Sequence, residues 1–201
     1  MRLFGLLAAA LIPAAMPGTG FAQDATRGRE LAARSCMNCH GTNGRSSMDH
    51  TPSLAGQPTD FITIQMILFR EGIRQVPAMA PFAQGLADRD IEDIAAFFAG
   101  LPPGPPEDRG PRDPALFAAG QALIGPRNCA VCHMPDLAGR NQVPRLAAQR
   151  EDFLLRTMQE YRDGVRVGAD TQMNGAVAGM SDAELAALAH YLSQRDETRS
   201  P

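Results

Sequence analysis

Two five-residue segments, Cys36-Met37-Asn38-Cys39-His40 and Cys129-Ala130-Val131-Cys132-His133, hold all 4 cysteines of this 201-residue chain. Each reads Cys-x-x-Cys-His, the attachment signature of a c-type haem. In such a segment both cysteines bond to the haem vinyl groups, and the adjacent histidine reaches the iron from one face. That use leaves no cysteine for a structural disulfide. The same residues admit other chemistry: two disulfides in any of three pairings, a redox dithiol, or half of a zinc site. A thioredoxin-like dithiol belongs at the end of a strand in a βαβ unit, and no strand pattern is present. A zinc reading must explain why histidine follows each pair at once.

The two segments sit in a duplicated framework. Cys36 matches Cys129 at an offset of 93, and Pro52-Ser53-Leu54-Ala55 matches Pro144-Arg145-Leu146-Ala147 at 92. Asp60-Phe61 matches Asp152-Phe153. Phe69-Arg70-Glu71-Gly72-Ile73-Arg74 matches Tyr161-Arg162-Asp163-Gly164-Val165-Arg166. Leu86-Ala87-Asp88 matches Met180-Ser181-Asp182 at 94, and Phe97 matches Tyr191. The offset changes only in loops, so one haem module has been copied.

Within the first copy, the spacing predicts a short helix over 26–35, capped by Asp24 or Thr26 and delivering the chain to Cys36. Gly41-Thr42-Asn43-Gly44 is a turn signature. A second helix is expected over 59–71, with Phe61, Ile64, Met66, Ile67 and Leu68 as most of its apolar surface and Gly72 as its stop. A third is expected over 88–99, N-capped by Asp88, with Ile91, Ile94, Ala95 and Phe98 inward. The expected fold is all-α: two tandem small helical domains, each around a covalently bound haem. The segments are a signal peptide at 1–22, domain 1 at 23–100, a linker at 101–113 and domain 2 at 114–201. The stretch from Gly100 to Pro114 inclusive holds 6 prolines and 3 glycines, which predict an extended, semi-rigid connector.

The repeat also sorts the 10 methionines. Most are flexible apolar filler. Met79 and Met173 occupy equivalent loop positions, 39 and 40 residues after His40 and His133. Pro77 and Pro81 bracket Met79 and stiffen its backbone. These two are the candidate axial ligands; the competing assignment has them packing beside a haem whose sixth site is vacant. Met66, Met158 and Met180 are expected to pack. His50 reads as a surface loop residue and His190 as a satisfied helix histidine. The carbonyls of Pro52 and Pro144 are candidate acceptors for the second ring nitrogen of each haem histidine. The paired arginines Arg70 with Arg162, and Arg74 with Arg166, are candidates for haem propionates or for the carboxylates of Glu71 and Asp163. Histidine nitrogen and methionine sulfur together give a six-coordinate, low-spin iron of raised reduction potential. Such an iron leaves no easy place for a substrate and suits one-electron transfer.

The ends constrain location. Met1-Arg2 precedes an almost wholly apolar run from Leu3 to Ala15, broken by Pro17, Gly18 and Gly20, with small residues before a cleavage after Ala22. This is the pattern of a secretory signal peptide, short for a membrane span. An uncleaved N-terminal anchor is the competing reading. No later stretch is long and apolar enough to span a bilayer. The formal charge of −3 is not a nucleic-acid binder's balance. Every basic side chain apart from the histidines is arginine, and nothing mechanistic follows from that.

With both motifs, both loop methionines and the repeat in hand, the chain resembles the dihaem cytochromes c of the c4 type from about residue 24 to 195. The resemblance implies two class I cytochrome c modules related by a pseudo-twofold axis, with haem propionate edges near their interface. It implies cofactor binding by Cys36, Cys39, His40 and Met79, and by Cys129, Cys132, His133 and Met173. The iron ligands would be His40, Met79, His133 and Met173. It further implies a non-enzymatic periplasmic carrier of the respiratory chain. Such a carrier passes single electrons from quinol-oxidising complexes or dehydrogenases to a terminal oxidase or reductase. Its partners would be redox proteins, not nucleic acid. The alternative function is the dihaem subunit of a flavoprotein dehydrogenase, such as a sulfide dehydrogenase. A peroxidase with an open iron, or haem used only as a structural staple, fits the two methionines less well. One departure from symmetry stands out: the second copy has two more residues between Arg166 and Met173, and lacks the prolines that bracket Met79.

Overall fold

The computed structural model describes residues 22–166 and 171–196. The predicted signal peptide falls almost entirely outside the described residues. The described residues are all-helical, with one isolated bridge between Arg140 and Val143. The first domain contains α1 (Ala25–Arg34), α2 (Met37–His40), α3 (Thr59–Arg70), α4 (Ala80–Ala83) and α5 (Asp88–Ala99). The second repeats the order with α6 (Pro114–Ile124), α7 (Cys129–His133), α8 (Glu151–Arg162), α9 (Gln172–Ala176) and α10 (Asp182–Ser193).

Local chemistry sets the helix ends. The Asp24 carboxylate accepts from the Thr26 and Arg27 amides at 2.9 and 3.0 Å, and Asp113 caps α6 in the same way. At α10, Ser181 and Glu184 form a capping box, with the Ser181 amide donating to Glu184 at 2.8 Å. At α5 the expected cap is corrected. Ala87 is the N-cap, its amide bonded to the Asp90 carboxylate at 3.1 Å. Asp88 is the first helical residue, and its carboxylate binds Arg70 at 2.8 Å.

In each domain the first helix crosses the last, and the middle helix packs on the last. The cores obey the repeat. Ile91 and Phe98 are fully buried in the first domain, and Leu185 and Leu192 are buried 94 positions later. The helix crossings depend on glycine. A Cβ on Gly28 would stand 1.8 Å from the Asp93 carbonyl oxygen, and one on Gly120 would stand 2.1 Å from that of Ala187. These glycines are 92 residues apart. Each lets its first helix lie directly against the backbone of the last.

The domains are joined by a reciprocal set of buried hydrogen bonds. Gln57 grips the backbone of Arg145, donating to its carbonyl and accepting from its amide, both at 3.0 Å. Gln149 does the same to Ser53, at 2.8 and 2.7 Å. The pairs are equivalent under the 92-residue offset, which is the signature of an isologous, pseudo-twofold contact. Arg150 adds a one-sided clasp. Its guanidinium reaches the Ser46 carbonyl at 3.1 Å, Asp49 at 3.2 Å and Asp108 at 2.8 Å. The connector is free of helix, turns at 107–108, and is strapped to both domains. Arg45 donates to the carbonyls of Pro102 and Pro103, while Arg109 and Arg112 reach the carbonyls of Ser193 and Gln194.

Gly120→Ala is expected to destabilise the protein by about 1–3 kcal/mol, because the added methyl meets backbone and the two helices must separate. Gly125→Ala, where a Cβ meets nothing within 4 Å, serves as the control. Denaturant unfolding of the two variants checks the difference.

Candidate functional site

The short helix α2, with its N-cap Cys36, places Cys36, Cys39 and His40 at spacings of three and four, so all three share a helical face. Helix α7 does the same for Cys129, Cys132 and His133. None of the four cysteines forms a disulfide. Among the described residues, no three His, Cys, Asp or Glu side chains converge in a cluster that could hold a metal ion. Burial pushes the Cys36 and Cys129 thiols up from their ordinary values.

His40 and His133 are each only 5% exposed. The His40 Nδ1–H donates to the Pro52 carbonyl at 2.8 Å, and His133 Nδ1–H donates to the Pro144 carbonyl at 2.8 Å. A carbonyl can only accept, so the proton is on Nδ1. Burial lowers both histidines' pKa values, against the opposing pull of the proline carbonyls. The neutral ring then has its lone pair on Nε2, the form in which imidazole ligates a metal. Loop structure aims the carbonyl. The Gly44 carbonyl accepts from both the Leu54 and Ala55 amides, at 2.8 and 3.0 Å, fixing the residues just after Pro52. Leu137, the equivalent of Gly44, accepts from Leu146 and Ala147 at 2.9 and 3.2 Å. Both acceptor residues have positive φ, +72° at Gly44 and +59° at Leu137.

Met79 is the N-cap of α4 and packs, with Cys36, against the first core. Met173 lies inside α9 and packs against the second core. Each therefore stands at a short helix where an open loop was expected. The two extra residues of the second copy fall in 167–172, of which 167–170 lie outside the described residues. Met66, Met158 and Met180 are buried packing residues, as their repeat positions predict. His190 is satisfied on both nitrogens, by Glu151 at 2.9 Å and the Asp113 amide at 2.9 Å. His50 is an exposed loop residue whose amide donates to Asp152 across the interface.

The paired arginines divide. Arg70 binds Glu71 and Asp88, and Arg162 binds Asp163 and Asp182. Among the described residues, Arg74 and Arg166 form no such ion pairs. Arg74 lies over the Phe69 ring and donates to Gln65; Arg166 lies over Tyr161. Burial, then the positive charge of Arg166, pushes the Arg74 pKa down to about 9. Burial also lowers that of Arg166, and its buried Nε and Nη1 have no hydrogen-bond partner among the described residues. A half-buried guanidinium, Arg74, and a buried, incompletely satisfied one, Arg166, which repel each other, are chemically suited to anionic carboxylates. This fits a ligand that brings its own propionates.

Three features are not evident from sequence patterning: Gly28 with Gly120, Gln57 with Gln149, and Arg150. The first two pairs do carry a signal, as further matches at the offset of 92. Arg150 carries none, because its counterpart is Pro58.

Comparison with known proteins decides the family. Cytochrome c4 of Thiocapsa roseopersicina is 35% identical over 190 residues, covering 89% of this chain and 95% of that protein. The chain belongs to the cytochrome c4 family. Cytochrome c4 of Pseudomonas aeruginosa is 32% identical over 93% of this chain and 96% of its own length. The crystal structure of reduced recombinant cytochrome c4 from Pseudomonas stutzeri superposes with a TM-score of 0.78 at 31% identity, over 87% of this chain and 100% of that one. A thiosulfate dehydrogenase structure from Marichromatium purpuratum matches with a TM-score of 0.73 at 33% identity, over 86% of this chain and 40% of that one. The family descriptions that match are "Cytochrome C oxidase, cbb3-type, subunit III" over residues 23–98 and "Cytochrome c" over residues 117–196. As a cytochrome c4-family chain, the protein has an electron-transfer function between redox partners, carrying electrons and not catalysing a reaction. The family implies two covalently bound haem c groups. No helix among the described residues is long and apolar enough to cross a membrane.

Proposed function

We propose that Cys36 and Cys39 anchor one haem and Cys129 and Cys132 the other. His40 and Met79 ligate the first iron, and His133 and Met173 the second. The observation that carries this is the duplicated 2.8 Å hydrogen bond from each motif histidine to a proline carbonyl. It fixes the ring and frees Nε2 for metal. When bound, haem supplies a one-electron ferric/ferrous couple. The thioether sulfur of Met79 or Met173 is a soft donor that favours the ferrous state. Arg74 and Arg166 neutralise propionates at the domain contact. The helix order and the hydrogen bonds that tie the connector down support domain limits at 23–100 and 114–201, with 101–113 as connector. Residues 1–22 are a cleaved export signal, and the mature chain works in the periplasm. It passes single electrons from a quinol-oxidising complex or dehydrogenase to a terminal oxidase or reductase.

Optical spectroscopy of the oxidised protein tests the ligand set. Methionine sulfur on ferric haem gives a weak charge-transfer band at the red end of the spectrum. Met79→Ala and Met173→Ala are each expected to remove about half of it, and the double variant all of it. A band untouched by either substitution would refute the assignment.

One specific likeness favours a second reading. A "thiosulfate dehydrogenase electron acceptor" of Stutzerimonas stutzeri is 32% identical over 83% of this chain and 81% of its own length. The electron donor for this chain is then a thiosulfate dehydrogenase, in place of a sulfide-oxidising flavoprotein. Stopped-flow reduction of the oxidised protein by such an enzyme with thiosulfate separates the readings. Rapid, thiosulfate-dependent reduction favours this donor, and reduction no faster than by thiosulfate alone excludes it.

A further inference from the structure

The interdomain glutamines end on an unexpected atom. The Ser53 amide that donates to Gln149 Oε1 at 2.7 Å belongs to the peptide group whose carbonyl, on Pro52, accepts from His40 Nδ1 at 2.8 Å. One planar peptide therefore links a motif histidine of the first domain to a glutamine of the second. The mirror arrangement is present. The Arg145 amide donates to Gln57 Oε1 at 3.0 Å, and the carbonyl of the same peptide, on Pro144, accepts from His133 Nδ1 at 2.8 Å. Both glutamines are 4% exposed. Their orientation is fixed chemically, because each amide nitrogen must face a carbonyl, of Ser53 for Gln149 and of Arg145 for Gln57.

We infer that Gln57 and Gln149 are crossed positioning residues: each, through one peptide group, sets the ligand strength of the motif histidine in the opposite domain. The inference rests on the proposed role of His40 and His133 as iron ligands. The physical route is short. A hydrogen bond accepted from a peptide N–H shifts charge toward that peptide's carbonyl oxygen, and linked hydrogen bonds polarise one another. A more negative carbonyl holds the Nδ1–H more strongly and makes Nε2 a better donor. A stronger nitrogen donor stabilises ferric iron and lowers the potential. Domain docking is thereby felt at both irons, and each domain's own glutamine acts on the other's iron. In isolation each histidine would keep its proline carbonyl and lose the glutamine behind it.

The test uses the holoprotein with Gln149→Leu and Gln57→Leu made separately. Two quantities are read for each domain: the His Nδ1–H proton resonance in the reduced, diamagnetic state, and the ferric-to-ferrous ratio at fixed applied potential. Gln149→Leu is expected to move the His40 proton upfield and favour ferrous iron in the first domain. An effect of a few-fold in the ratio is expected, below the roughly tenfold effect that loss of a ligand's direct partner brings, because the glutamine acts one hydrogen bond further out. Gln57→Leu should do the same to His133 and the second domain. A merely structural role would move both domains together or neither. Equal shifts in both domains, or a shift in the variant's own domain, with docking intact by small-angle scattering, overturns the inference. If a substitution separates the domains, both histidine protons must move upfield; unmoved protons in a separated protein also overturn it. Failure of the histidine ligand assignment itself reads differently, as haem spectra left unchanged by His40→Ala and His133→Ala.

Discussion

A buried histidine that is to serve as a ligand must first be held by something else. Here the hold is one hydrogen bond from Nδ1 to a proline carbonyl, made twice at 2.8 Å. It fixes the tautomer and the ring plane, and burial keeps the ring neutral. Much of the nearby fold serves that bond. The left-handed residues Gly44 and Leu137 turn their carbonyls onto the segments following Pro52 and Pro144. In the first domain, Ser46 ties the same loop together: its amide donates to the Ser53 hydroxyl at 3.1 Å, and its own hydroxyl donates to the Cys39 carbonyl at 2.8 Å. Ser46 thus bonds the cysteine-containing turn to the proline-containing loop.

The duplicated architecture follows from the same economy of contacts, but the copies are not equal. The glutamine contacts are reciprocal, whereas the Arg150 clasp has no counterpart, since Pro58 stands at its repeat position. Arg150 gathers Asp49, Asp108 and Asp152, from the first-domain loop, the connector and its own helix. Burial lowers its pKa, and the Asp152 and Asp108 carboxylates more than restore it, leaving it above its ordinary value. The contact is therefore symmetric where it touches the histidine-bearing peptides and asymmetric at its edge. Buried charge in an interface often fixes geometry more than it adds stability. Arg150 ties the connector and the first-domain loop to the second domain.

Much of this was legible in the sequence for a physical reason. A haem motif is a covalent constraint written in consecutive residues, and duplication doubles every local signal. The helices over 59–70 and 88–99 emerged within a residue of their expected limits because their apolar spacing and terminal glycines are local. The proline carbonyls were also foreseeable, since proline offers only an acceptor. What escaped was long-range. Gly28 and Gly120 look like ordinary helix residues until another helix backbone is laid 1.8 and 2.1 Å from their missing Cβ atoms. Gln57 and Gln149 look like surface amides until the domains meet. The Asp88 cap failed because two carboxylates compete at that terminus; Asp90 reaches the Ala87 amide while Asp88 is drawn to Arg70. Arg74 and Arg166 separate from Arg70 and Arg162 only once burial is known.

Iron X-ray absorption on the oxidised holoprotein tests the paired histidine–methionine centres most directly, because it counts the atoms bonded to the metal without reference to function. Averaged over both irons, the proposed ligand set gives one sulfur for every five nitrogens. Replacement of Met79 or Met173 should halve the sulfur contribution, and replacement of both should abolish it. A wild-type spectrum with no sulfur, or with only half that amount, would contradict the claim that both domains carry the same histidine–methionine centre.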